Sequence, residues 1–172
     1  SKWDEIKHLR SEPGNQRPLE SHEYARACRG RIRLMLDVKS PDHPPEFFDS
    51  LEKSLRENDL LETAYFIGTS QSQERFRDLA RVSVNRRELQ SAIDAGEDVA
   101  KKYFLFEHGN ELDVETVKLA QAHGVPVVPS VNIFHYVGGG HLEKAAADIH
   151  RLRALGVDTF QIDSVYEPFC RD

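Results

Sequence analysis

Two side chains of opposite charge, Asp37 and Lys39, stand two residues apart at the end of the run Ile32-Arg33-Leu34-Met35-Leu36-Asp37-Val38-Lys39. Read as a β-strand, the run sends alternate side chains to opposite faces. Ile32, Leu34, Leu36 and Val38 then form one wholly apolar face. Arg33, Met35, Asp37 and Lys39 form the other, which turns ionic at its C-terminal end. A carboxylate can ligate a hard cation, and an ammonium beside it can hold an anionic oxygen. An apolar face for helices, with an acid-base pair at the C-terminal mouth, suggests an α/β barrel enzyme. The same two residues can also be a strand-end ion pair with no chemistry.

Other segments carry chemistry-bearing residues with plainer alternatives. Glu107 ends the run 103–107 and His108 follows it, and a strand continuing through both would turn at most one inward. Either could enter a site, or both could belong to a solvated loop. The stretch His135-Tyr136-Val137-Gly138-Gly139-Gly140-His141 follows another strand segment. A glycine triplet lets backbone N–H groups approach a phosphate before a helix N-terminus, and it equally suits a mobile loop. Gln161 and Asp163 alternate with Phe160 and Ile162 and would share an inward face. From there Asp163 could bond to Lys39 or line a pocket. Arg86-Arg87 reads as a solvated helix start, and His43, His123 and His150 read as surface residues.

These residues need elements to position them. Strand patterns recur at 32–39, 64–69, 81–85, 103–107, 126–132 and 159–163. Helical patterns lie between them. Pro44-Pro45 opens residues 45–57, where Phe47, Phe48, Leu51 and Leu55 recur at helical spacing. Residues 113–123 have Asp113 as N-cap and Gly124 as stop, residues 141–155 stop at Gly156, and residues 86–95 stop at Gly96. Strands alternating with helices imply parallel strands joined by right-handed crossovers. No dinucleotide-binding glycine pattern follows a strand. A complete eight-unit barrel takes about 250 residues, whereas this chain has 172. The expectation is either an unusual open sheet or a barrel entered after its first two strands. In the second case residues 1–30 are a short helix at Trp3, Ile6 and Leu9, a loop at 11–15, and a helix from Pro18 towards Cys28.

Composition narrows the class. The chain is 39% hydrophobic and 30% charged with net charge −6, which suits one domain with a real core. An acidic chain without a basic run argues against nucleic acid and against docking on anionic membranes. No apolar stretch approaches membrane-spanning length. Cys28 and Cys170 fit no metal or redox spacing and leave the compartment open.

The order of short motifs resembles the glycerophosphodiester phosphodiesterase family. Arg17-Pro18-Leu19-Glu20-Ser21 is similar to the family's Pro-Thr-Leu-Glu-Glu helix start, with the proline one place late. Asp37-Val38-Lys39 resembles its Glu-Ile-Lys on the third barrel strand. Pro129-Ser130-Val131-Asn132 sits where the family has Trp-Thr-Val-Asn, with proline in place of tryptophan. Gly156-Val157-Asp158, leading to Asp163, resembles its closing Gly-Val-Asp and Thr-Asp-Tyr-Pro. Ile162 and Ser164 depart from that ending, and Pro168 comes late.

The resemblance implies a partial TIM (β/α)8 barrel, strands three to eight, as a single domain over residues 1–172. It implies metal-dependent hydrolysis of a glycerophosphodiester to an alcohol and glycerol 3-phosphate, with Mg²⁺ or Ca²⁺ as cofactor and a small-molecule substrate. In it Asp37 is a metal ligand, one methylene shorter than the family's glutamate, and Lys39 contacts the phosphate. The family's acid-base histidines and other metal carboxylates would precede Ser1, since His8 and His22 have the wrong surroundings. No catalytic residue is therefore expected within the chain. A non-catalytic relative or fragment that binds a phosphorylated ligand or a partner protein is the alternative. Another barrel enzyme using Lys39, Glu107 and Asp163 is a third reading. A six-strand piece would also expose sheet edges and so invite self-association.

Overall fold

Proline and side-chain caps set the helix starts that the rest of the fold depends on. Pro45 occupies the first position of the helix Pro45–Glu57, where its missing N–H costs nothing. Asp113 and Asn85 each accept a backbone N–H three residues on, from Thr116 and Glu88. In this computed structural model, which describes residues 3–40 and 42–171, the elements run in chain order. They are α1 (Trp3–Ile6), α2 (Ser21–Cys28), β1 (Met35–Val38), α3 (Pro45–Glu57), β2 (Tyr65–Gly68), α4 (Ser70–Phe76), β3 (Arg81–Val84) and α5 (Arg86–Asp94). There follow α6 (Val99–Lys102), β4 (Tyr103–Leu105), α7 (Val114–Ala122), β5 (Ser130–Val131), α8 (His141–Ala154), β6 (Gln161–Ile162) and α9 (Glu167–Cys170). Among the described residues no helix is long and apolar enough to cross a membrane.

Every strand pair is parallel. β1 to β4 form one sheet in chain order, and β5 pairs with β6. Single parallel bridges, Leu105 to Val127 and His108 to Ser130, connect the β4 segment to the β5 segment. The neighbour order therefore follows the chain and never reverses. A doubly wound sheet reverses at a switch point, whereas a barrel does not. The expected α/β class with parallel strands is what the structure has.

Register fixes the faces. Leu36 pairs with Phe66 and Val38 with Gly68, while Met35 pairs with Tyr65 and Asp37 with Ile67. Leu34, Val38, Phe66, Val82, Val84 and Leu105 belong to the main core with Phe48, Leu51 and Leu55 of α3, Phe76 of α4, Leu89 of α5 and Val117 of α7. The Phe66 and Phe76 rings stack at 4.0 Å. Each such burial stabilises by about 1.5–3 kcal/mol, so this face, not the ionic one, holds the sheet to its helices. A second cluster, Val131, Tyr136, Ala145, Ile149 and Tyr166, packs α8 over β5.

The structure corrects several expectations. The first strand covers Met35–Val38 rather than 32–39, and Ile32 lies outside it with 56% exposure. The segments 126–132 and 159–163 contain strands of two residues each, Ser130–Val131 and Gln161–Ile162. Helix α4 did not stand out in the sequence, because only Phe76 gives it an apolar buried side chain.

Candidate active site

Asp37 is the third residue of β1, and Lys39 follows the strand's end. Their side chains form an ion pair between Lys39 Nζ and Asp37 Oδ2. The Lys39 side chain is 84% exposed and that of Asp37 32%. Pairing of such open charges contributes about 0–1 kcal/mol to stability, so the pair is weakly committed to the fold. Its position is set instead by backbone. Gly68, opposite Val38, has φ +118, and a Cβ there would lie 2.4 Å from the Val38 carbonyl oxygen. Only glycine lets β2 approach β1 this closely. The loop after β1 is tied to α4: Gln71 accepts from the His43 N–H at 3.3 Å and donates to its carbonyl at 3.0 Å. His43 also stacks on Phe47 at 4.0 Å, so it packs against α3 and is not the plain surface residue expected.

The ends of β4, β5 and β6 carry a second polar group. The bridge of His108 to Ser130 and the pairing of Ser130 with Gln161 put these three on one face. Met35, Tyr65, Val128 and Gln161 all line one cavity of 710 Å³, so the face is continuous with that of Met35 and Asp37. His108, not Glu107, turns this way. Glu107 accepts the Arg86 N–H at 2.7 Å at the start of α5, and the Arg86 guanidinium meets Asp113 at 3.0 Å. Arg86 is the half-exposed helix start expected, and its guanidinium also links that start to the next one at Asp113.

Of the two options for Asp163, a bond to Lys39 or a place on a pocket wall, the first does not form among the described contacts. The two Asp163 oxygens accept from Asn132 Nδ2 at 3.2 Å and from the Ile133 N–H at 2.7 Å. Asp163 thereby joins the end of β6 to the turn after β5. Within that one-turn helix, Ile133–His135, the Asn132 N–H donates to His135 Nδ1 at 3.2 Å. His135 stacks on His108 at 4.0 Å and 29°. Burial, with the neighbouring His108, pushes the His135 imidazole pKa down. The loop carrying His108 is clamped by Arg151 of α8, which donates to the Gly109 and Leu112 carbonyls at 2.7 and 2.8 Å. In the glycine triplet all three residues have positive φ, and a Cβ at Gly138 or Gly139 would meet nothing within 4 Å. The triplet is therefore open rather than wrapped on other chain.

A divalent cation of the Mg²⁺ or Ca²⁺ type needs about six or more oxygen ligands. Among the described residues no three His, Cys, Asp or Glu side chains converge. Asp37 supplies one carboxylate, and it already faces Lys39. The described residues do not by themselves fit such an ion. The cavity of 710 Å³ lies at the other end of the face, against Met35 and Tyr65 rather than Asp37 and Ile67.

The stack of His108 on His135 escaped sequence reasoning. Its members come from separate loops, and the only local signal was His135 three residues after Asn132, the spacing of a capping box. Cys28 and Cys170 are both free thiols.

No family model matches the chain, and no curated protein matches it in sequence. Solved structures do match in shape. A glycerophosphoryl diester phosphodiesterase from Parabacteroides distasonis is 18% identical with a TM-score of 0.63, over 94% of this chain and 59% of that one. A putative glycerophosphodiester phosphodiesterase from Galdieria sulphuraria is 14% identical with a TM-score of 0.64, over 94% and 66%. A putative glycerophosphoryl diester phosphodiesterase from Agrobacterium tumefaciens gives 15%, 0.62, 94% and 66%. The chain thus spans about three fifths to two thirds of the length of these three proteins. Identities this low establish the shared fold, and the resemblance read in the motifs agrees with it.

Proposed function

We propose that these 172 residues are the later six βα units, strands three to eight, of a TIM barrel that hydrolyses glycerophosphodiesters. The products would be an alcohol and glycerol 3-phosphate. The carrying observation is the place of Asp37 and Lys39. They lie at the C-terminal end of the first strand of an unreversed parallel series, on the face away from the helices. Barrel enzymes keep their chemistry at that end of the strands. The folds of three phosphodiesterases support the reading, and so does the motif order.

In this reading Lys39 holds a non-bridging oxygen of the phosphodiester. Its ammonium is a point charge on a long stem with 84% exposure, free to turn from Asp37 to a ligand. Asp37 would give a divalent cation, Mg²⁺ or Ca²⁺, one oxygen ligand. Such an ion neutralises phosphate charge when bound. Its other ligands, and the acid-base histidines, would come from the part of the barrel outside these residues. That part would also cover the outer edges of β1 and β6. A second copy of the chain is the other way to cover them.

The test is release of glycerol 3-phosphate from a glycerophosphodiester by the whole protein, with and without Mg²⁺ or Ca²⁺. Lys39→Ala is expected to lower kcat/KM about 10²-fold, the size of losing one preorganised charge contact. Asp37→Ala is expected to lose metal-stimulated turnover. Undiminished metal-stimulated activity in Asp37→Ala would exclude it as a ligand. A phosphorylated-ligand binder without turnover would bind phosphate through Lys39 and release no product.

A further inference from the structure

We propose that the turn Ile133–His135 is a pH-sensitive latch at the mouth, closed by neutral His135 on His108 and released when His135 takes up a proton. The geometry requires a neutral ring. His135 Nδ1 accepts the Asn132 N–H at 3.2 Å, so its proton sits on Nε2. Nε2 is itself buried and makes no well-aligned hydrogen bond, although the Ser130 backbone lies close enough to favour a charged ring. A second proton must go to Nδ1. There it would face the Asn132 N–H donor, break the hydrogen bond, and place a cation against the His108 ring 4.0 Å away.

The groups around the pair act in both directions. His108 disfavours the cation, and so does burial. Glu111, 3.5 Å from His108 Nδ1, the Ser130 backbone, and Asp163, on the Ile133 N–H, all favour it. The balance depresses the His135 pKa, so the closed form binds fewer protons than the released form. Closure is then complete above the ordinary histidine pKa of about 6.5 and weakens as pH falls below it.

Neighbouring anchors define what moves. The His108 side is clamped by Arg151. Tyr136 is buried and bonds to Asp148 at 3.1 Å, which holds the turn's far end. The turn between these anchors carries Ile133 and Phe134, 48% and 72% exposed, at the rim. Asp163 keeps its hold on the Ile133 N–H at 2.7 Å, so release would swing chiefly Phe134 relative to the mouth.

Amide hydrogen exchange across residues 130–136 of the whole protein, from about pH 7.5 to about pH 5 and corrected for intrinsic rates, tests the latch. Protection of the Asn132 amide should fall by up to about tenfold per pH unit below pH 6.5, the slope of one proton. In His135→Asn the side-chain oxygen can accept the same N–H and cannot titrate, so protection should be flat. In His108→Gln the neighbour that disfavours the cation is gone, so the closed form's pKa rises towards the released value, and the fall should end at higher pH and be smaller in total. A flat profile in the wild type overturns the latch, as does a His135→Asn slope equal to it. Should His135→Asn fail to fold, an unmoved midpoint in His108→Gln overturns it as well.

Discussion

The two polar ends of the strand series are built in opposite ways. At β1, Asp37 and Lys39 face each other and little else, with most of the lysine in water. At β4 to β6, Asn132 and Asp163 spend their polar atoms on each other and on backbone, His135 Nδ1 accepts from backbone, and His108 stacks on His135 beside Glu111. The first end is positioned by backbone and leaves its charges available. The second is positioned by side chains and leaves little available besides the exposed His108 edge. A ligand that needs charge can be met at β1 without dismantling structure. At β5 and β6 any ligand would have to compete with bonds that hold the loops.

The strongest way to break this contrast is to deny β1 its backbone position. Gly68→Ala would place a methyl group 2.4 Å from the Val38 carbonyl oxygen at φ +118. Strain and overlap together are expected to cost about 3 kcal/mol or more. Urea unfolding measures the loss. A change below about 1 kcal/mol would mean that β1 and β2 can separate freely, and that the Asp37 end is not fixed by backbone.

The next effect tests the other end. Asp163→Ala leaves the Ile133 N–H and Asn132 Nδ2 without their acceptor. The expected loss is about 2 kcal/mol, within the range for removing a multiply bonded carboxylate. Asp163→Asn keeps one acceptor and should lose less. Equal losses would show that the charge, rather than the pair of acceptors, is what matters.

How far the sequence reveals these two ends follows from how each is held. The Asp37 and Lys39 face was legible because strand alternation is local, and Leu34, Leu36 and Val38 form the helix-covered side as their spacing suggests. Helices α3, α7 and α8 were legible because proline, an aspartate cap or a glycine stop bounds each apolar pattern. The short strands β5 and β6 were overread. They pair with each other over two residues only, and single bridges join the β5 segment to the β4 segment. His108 on His135 and Asp163 on Asn132 were illegible, since such contacts join loops that only the strand order brings together. For that reason the sequence left Asp163 with two options, a bond to Lys39 or a place on a pocket wall, and did not show its actual partners. The turn after β5 offers it an amide and a backbone N–H, at 3.2 and 2.7 Å.

The smallest effect sharpens the comparison most. In a double-mutant cycle, Asp37→Ala, Lys39→Ala and the double variant should show a stability coupling below about 1 kcal/mol, as exposed pairs do. That value should shrink further in high salt, because open charges are screened. A coupling of about 2 kcal/mol or more would make the pair a structural tie like Asp163 with Asn132. The contrast between the ends would then disappear, since a pair that strong could not open to a phosphate without loosening β1. A weak coupling, with loss of turnover in both single variants, is the combination expected of charges held for a ligand. It separates that role from a strand-end ion pair, because an ion pair with no ligand would leave turnover unchanged.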